Sequence, residues 1–154
     1  MSFPLRPEDF YHTGLVVTDL AAAAERFTAA AGYTWTKPMK GSVTIRTVAG
    51  TQTVEMQFVY SLQAPHLELI EEVPGTPWTT AKDNAVHHLG YFTDDFDATA
   101  QALQTLGYAL EMCHTADGEA PSMFAYYRSP EDVRIEIVDR TIFGDLDAFL
   151  KAFQ

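Results

Sequence analysis

Cysteine is almost missing from this chain, Cys113 being its only one. A single thiol makes neither an internal disulfide nor a cysteine-based zinc site, so the core must hold the fold, and a reducing cytoplasm suits it. Basic residues are scarce too: ten Lys and Arg stand against 21 Asp and Glu, a formal charge of −11. Nucleic acid and anionic membranes are bound through clustered Lys and Arg, so neither is an expected partner. Nowhere do roughly 18 apolar residues run together, which excludes a transmembrane helix. The opening "MSFPLRPEDF" has no apolar centre and carries two acids, unlike a signal peptide. The expectation is a soluble, unexported, cytoplasmic protein. Its 154 residues suit one domain, or two small modules on a shared core, with roughly two thirds of the unfolded surface buried.

Internal likeness is what the chain does have. "HTGLVVTDL" (His12–Leu20) returns 76 residues later as "HLGYFTDDF" (His88–Phe96), pairing His with His, Gly14 with Gly90 and Asp19 with Asp95. Each match is followed by an Ala-rich stretch of helical period, "LAAAAERFTAAAGY" and "FDATAQALQTLGY", ending at Gly32 and Gly107. Asp19 and Asp95 stand where N-caps belong, the glycines where C-caps belong. Three strand-like runs come after each helix: Val43–Val48, Val54–Tyr60 and His66–Glu72, then Tyr108–His114, Met123–Arg128 and Val133–Asp139. Turn signals such as "DGEAP" and "SPED" separate them. The unit is βαβββ, used twice. Val73–Ala85, containing "PGTPW", links the halves, and "TIFGDLDAFLKAF" reads as one C-terminal helix.

Strand side chains alternate faces, so His12 shares a side with Gly14 and His88 with Gly90, leaving space beside each imidazole. Glu68 stands between Leu67 and Leu69, and Glu136 between Ile135 and Ile137. An unpaired buried carboxylate costs several kcal/mol, so each acid needs compensation. Two acids and two histidines at repeat-related positions suggest a common partner, most simply a divalent cation.

Over nearly its whole length, and most visibly in "VHHLGYF" and "HLELIE", the chain resembles the vicinal oxygen chelate superfamily of glyoxalase, bleomycin resistance and dioxygenase proteins. It looks closest to the methylmalonyl-CoA epimerase-like and glyoxalase-like single-domain members. The resemblance implies an α+β fold, two βαβββ modules paired into a curved eight-stranded cup with a C-terminal helix. One domain would span 1–154, with module one at about 8–72, the linker at about 73–85, module two at about 86–140 and the helix at about 141–154. Ligands from the first, fourth, fifth and eighth strands become His12, Glu68, His88 and Glu136. His88 is preferred to His87 because it keeps to Asp95 the spacing that His12 keeps to Asp19, and His87 would then point to the opposite face. Two imidazoles and two carboxylates are compatible with one divalent ion of Ni, Co, Mn, Fe or Zn. They leave up to two positions of an octahedron for substrate oxygens or water.

Such a metal acts as a Lewis acid on a chelated oxygen, making a proton next to a carbonyl removable through an enolate. Three residues are candidates for the base. Glu55 lies in "TVEMQFVY", which resembles a segment bearing a catalytic acid in some bacterial methylmalonyl-CoA epimerases; it looks into the cup if Met56, Phe58 and Tyr60 pack under a helix. Glu136 could exchange coordination for base duty, and His66 shares a face with Glu68. Arg46 is a candidate for holding a substrate carboxylate. Trp35, Trp78, Tyr91, Tyr126 and Tyr127 are candidates for a pocket wall, Trp78 the best because it lies in the linker.

Three function classes follow. The first is a metal-dependent isomerase, epimerase or lyase acting on a small molecule with vicinal oxygens or a carbonyl. The second is a non-haem iron ring-cleaving dioxygenase, which needs only two histidines and one carboxylate. The third is a small-molecule (antibiotic) binding or resistance protein. The resemblance also implies a homodimer.

Overall fold

Two strand-to-helix corners organise the chain. β1 (Phe10–Val17) leads into Asp19, whose carboxylate accepts from the Ala22 backbone N–H and caps α1 (Leu20–Ala31). β5 (His88–Thr93) leads likewise into Asp95, which accepts from Ala98 and caps α2 (Phe96–Thr105). Gly32, at φ 77, ends α1 in the left-handed conformation, where a side chain would be strained. The computed structural model that shows this describes residues 3–131 and 133–154.

The remaining strands are β2 (Met39–Thr47), β3 (Gly50–Tyr60), β4 (Leu67–Glu71), β6 (Ala109–Thr115), β7 (Pro121–Arg128) and β8 (Arg134–Asp139). They close into a mixed sheet in the order β1-β4-β3-β2-β6-β7-β8-β5. Each module pairs its first strand parallel to its last, β1 with β4 and β5 with β8. The modules join antiparallel at two seams, β1 to β5 and β2 to β6. This is the α+β, paired βαβββ architecture that the repeat implies.

Strand alternation sorts the core into an inner and an outer layer. Leu15, Val17, Val59 and Leu69 pack outward against Leu20, Ala23 and Phe27 of α1. Cys113, Ala125, Tyr127 and Ile137 pack outward against Phe96 and Leu103 of α2. The only cysteine is thus a core residue. Inside, Val16, Ile45, Ile70, Trp78, Met112 and Tyr126 form the common cluster. Fully burying an aliphatic side chain such as Leu103 contributes about 1.5–3 kcal/mol.

The C-terminal segment corrects the sequence expectation. Instead of one helix it forms two, α3 (Arg140–Phe143) and α4 (Leu146–Ala152). Gly144, at φ 83 and ψ −150, breaks the helical path, and Asp145 caps α4 by accepting from Ala148. β2 and β3 also start earlier than the apolar runs suggest, because polar residues such as Ser42 and Gln52 continue the hairpin ladder. Among the described residues no helix is long and apolar enough to cross a membrane.

Candidate metal centre

The β1–β5 seam explains the repeated His-x-Gly. In its register His12 lies opposite Gly90, and Gly14 lies opposite His88. A Cβ on Gly14 would sit 2.0 Å from Cε1 of His88, and one on Gly90 would sit 2.0 Å from Cε1 of His12. Each imidazole therefore occupies the space left by the other strand's glycine. The outer ladders add the acids, Glu68 opposite Gly14 on β4 and Glu136 opposite Gly90 on β8.

Four side chains from the two modules thus converge, their ligand atoms all within 4.8 Å of one another. His88 Nε2 lies 2.9 Å from Glu136 Oε2, 3.2 Å from Glu68 Oε1 and 2.9 Å from His12 Nε2. His12 Nε2 is 3.5 Å from Glu68 Oε1 and 3.7 Å from Glu136 Oε2. All four residues are buried.

Two buried carboxylates need positive charge, and among the described residues neither forms an ion pair with Lys or Arg. The histidines supply it as protons. Burial disfavours a charged His12, but Glu68 and Glu136 outweigh burial and hold its pKa up at about 9. His88 is raised for the same reasons, Glu136 being its strongest support. Burial pushes both carboxyls up, but the imidazoles outweigh it and hold Glu68 and Glu136 below the usual range. Among the described residues none donates a hydrogen bond to Glu68 Oε1. Two imidazole nitrogens, two carboxylates and an unsatisfied buried oxygen fit a divalent cation, which would replace two protons. His12, Glu68, His88 and Glu136 form a potential metal site, and the donor set is compatible with Ni, Co, Mn, Fe or Zn.

His87 corrects the reading from alternation. It precedes β5, so the strand rule does not apply, and its buried ring folds back onto the centre. Its Nδ1 lies 2.9 Å from His88 Nδ1, and its Nε2 lies 2.7 Å from the Pro77 carbonyl oxygen. A carbonyl only accepts, so His87 Nε2 carries a proton. Burial, aided by the His88 and Arg134 charges, lowers the His87 pKa to about 4 and keeps the ring neutral. Its Nδ1 therefore accepts from His88 Nδ1–H, leaving His88 Nε2 for the centre. Partners of this kind orient metal ligands. The doubled histidine was the available signal; the Pro77 carbonyl was not legible. His87→Phe is expected to weaken metal affinity about 10- to 100-fold in a competition titration with a chromophoric chelator. Unchanged affinity would remove His87 from this role.

Glu68 and Glu136 open onto a cavity of about 720 Å³. Trp78 and Tyr126 stand on its wall, the indole N–H donating to the Tyr126 hydroxyl at 2.9 Å. Other sequence candidates lie elsewhere. Glu55 is exposed on the outer face, where the Ser42 hydroxyl donates to it. Met56, Phe58 and Tyr60 are the β3 residues that face the cavity, because the cup itself is apolar. Arg46 is also outside, beside Cys113 in the ladder, its Nε donating to the Glu119 carbonyl at 2.7 Å. Tyr91 packs on Phe10, with ring centroids 5.3 Å apart, and Tyr127 lies under α2. Trp35 packs near α1, donating to the Ala24 carbonyl. His66 has Nδ1 3.0 Å from the Ser61 carbonyl oxygen and lines a second cavity of about 470 Å³, which His12 also reaches.

Fold and centre together define a paired-module cup with four ligand-type residues at the junction of its modules. The family model described as the Glyoxalase/Bleomycin resistance protein/Dioxygenase superfamily matches residues 11–127. The chain belongs to that superfamily. Solved structures similar to it include a Streptomyces coelicolor methylmalonyl-CoA epimerase variant in complex with 2-nitronate-propionyl-CoA. That match has 19% identity and a TM-score of 0.55, over 85% of this chain and 96% of the other. The methylmalonyl-CoA epimerase of Mycobacterium tuberculosis is 18% identical, with a TM-score of 0.55 over 85% and 87% of the chains. A hypothetical protein from Bacillus halodurans is 14% identical, with a TM-score of 0.57 over 84% and 92%. Likeness at these identities shows the fold. No curated protein matches the sequence.

Proposed function

We propose that this protein is a divalent-metal-dependent isomerase or epimerase that moves a proton next to a carbonyl. The observation that carries the reading is the buried quartet of two histidines and two glutamates, whose glutamates line an apolar cavity. Superfamily membership and the epimerases among the structural neighbours support it. A bound divalent ion held by His12, Glu68, His88 and Glu136 supplies Lewis-acid stabilisation of negative charge on a carbonyl oxygen.

The chain's own residues supply the rest. Glu136 lines the cavity, and by exchanging coordination for base duty it takes the proton from the carbon and returns it. Burial and the two carboxylates push the Tyr126 hydroxyl well above its ordinary pKa. It remains a donor for a substrate oxygen. Apolar walls exclude water, which strengthens these interactions. A ring-cleaving dioxygenase needs one carboxylate fewer, and Glu68 is buried as deeply as Glu136.

The test is hydrogen exchange in deuterated water, followed by NMR on a panel of α-hydroxy ketones and α-branched acyl compounds. Metal-loaded protein is expected to label the carbon next to the carbonyl, and chelator-treated protein and Glu136→Gln are not. Equal labelling with and without metal would overturn the reading. Tight binding of a panel member without any exchange would shift it to a sequestering protein.

A further inference from the structure

The cavity differs in its charge from what a phosphorylated substrate requires. Its wall is built from side chains such as Met39, Met56, Phe58, Trp78, Phe124 and Tyr126. None of the chain's arginines lines it, and Lys40 is the only cation on its lining among the described residues. Four of the arginines are engaged elsewhere. Arg6 and Arg140 hold Asp9 and Asp94, while Arg128 and Arg134 hold Glu111. Beyond the Glu68 and Glu136 carboxylates of the centre, Asp139 adds an acid to the same lining, in a chain of formal charge −11. Phosphate groups are recognised by Arg forks, Lys or helix N-termini.

The C-terminal helices make the apolar character stronger. Ile142, Phe143, Phe149 and Phe153 all reach the cavity lining. Phe143 packs on Tyr11 and Phe92 at 5.6 and 5.1 Å between centroids, and Phe149 packs on Tyr60 at 6.1 Å. The Lys37 N–H donates to the Phe153 carbonyl at 2.6 Å, fastening the end of this cover beside β2. Met123 holds φ 61 within β7 and also lines the cavity. A left-handed non-glycine residue of this kind is costly and is concentrated at ligand sites, and methionine adapts its shape to varied apolar surfaces.

We infer that the substrate is an unphosphorylated hydrophobic carbonyl compound, with its oxygens at the Glu68–Glu136 floor and its aryl or branched-alkyl body under Phe143 and Phe149. The inference rests on the metal-centre reading above. A cavity of about 720 Å³ is in the range that encloses most of a drug-sized molecule. The phosphates of a CoA ester would lie outside it, against an acidic protein.

Calorimetry on zinc-loaded protein separates the possibilities with three probes: acetohydroxamate, 2-naphthohydroxamate and propionyl-CoA. The first two share a two-oxygen chelating head and differ in apolar body. The naphthyl probe is expected to bind about 10- to 100-fold tighter than acetohydroxamate, the gain for burying an aryl group. Phe149→Ala is expected to lose most of that gain while keeping its metal content and its acetohydroxamate affinity. Propionyl-CoA is expected to bind more weakly than the naphthyl probe. If propionyl-CoA binds as tightly, or the naphthyl body gains nothing, the substrate assignment fails and the metal reading stands. If neither hydroxamate binds the zinc-loaded protein, the reading that the centre receives substrate oxygens fails, and the proposed function with it.

Discussion

Alanine at Glu68 or at His88 is expected to take the metal content of purified protein from about one divalent ion per chain to near none. Each residue supplies one ligand atom of a set drawn from four strands. Elemental analysis of untagged protein measures the result. The two changes should act differently on the metal-free fold. Removing His88 takes away one of two imidazoles between two carboxylates, leaving His12 alone to balance Glu68 and Glu136. Removing Glu68 leaves both imidazoles with one carboxylate. Breaking a buried pair costs about 3–5 kcal/mol, reduced where the remaining imidazole sheds its proton at about 1.4 kcal/mol per unit of pKa. Glu68→Gln keeps the packing volume and is expected to fold with the parent's circular dichroism, yet still to lose the metal. Full metal content in Glu68→Ala and His88→Ala would remove these residues from the ligand set.

Much of this was legible because the chain writes its unit twice. The His-x-Gly spacing, the capping aspartates and the acid in each module's last strand point to βαβββ and to the four converging residues. The faces of the later strands were less legible. On β3 Glu55 would face the cup only if Met56, Phe58 and Tyr60 packed under a helix. A cup with an apolar lining needs hydrophobic residues on both faces, so hydrophobicity alone does not say which side is inside. Val59 is the residue that meets α1, and Glu55 follows it outward. Tyr126 and Tyr127 pose the same problem as neighbours on β7. The ladder that sets Tyr126 opposite Glu136 sends Tyr126 into the cavity and Tyr127 beneath α2. His87 escaped because alternation was extended one residue before the strand begins. The second seam, β2 to β6, involves no repeated motif and had no sequence signal.

Raising the pH is expected to tighten metal binding and, at the same time, to weaken the metal-free fold. In the metal-free protein Glu68 and Glu136 hold the His12 pKa at about 9, against an ordinary 6.5, and His88 is raised too. A folded-state pKa above the unfolded one stabilises the fold fully below the unfolded value, and that contribution is lost as pH climbs through the folded value. The window for His12 is therefore pH 6.5 to about 9, with about 3 kcal/mol lost across it. The lowered carboxyls act in the opposite direction and only at acid pH, where protonation removes what they contribute. A metal ligand must be a neutral imidazole, so binding displaces the protons on His12 and His88. Each displaced proton makes apparent affinity rise up to about tenfold per pH unit, and the two together up to about a hundredfold. Thermal melts of chelator-treated protein should therefore show Tm falling from pH 6.5 towards 9, while metal-loaded protein holds its Tm and the gap widens. A gap that stays constant across this range would mean that no proton leaves when the metal enters, and that the histidines are not the groups it displaces.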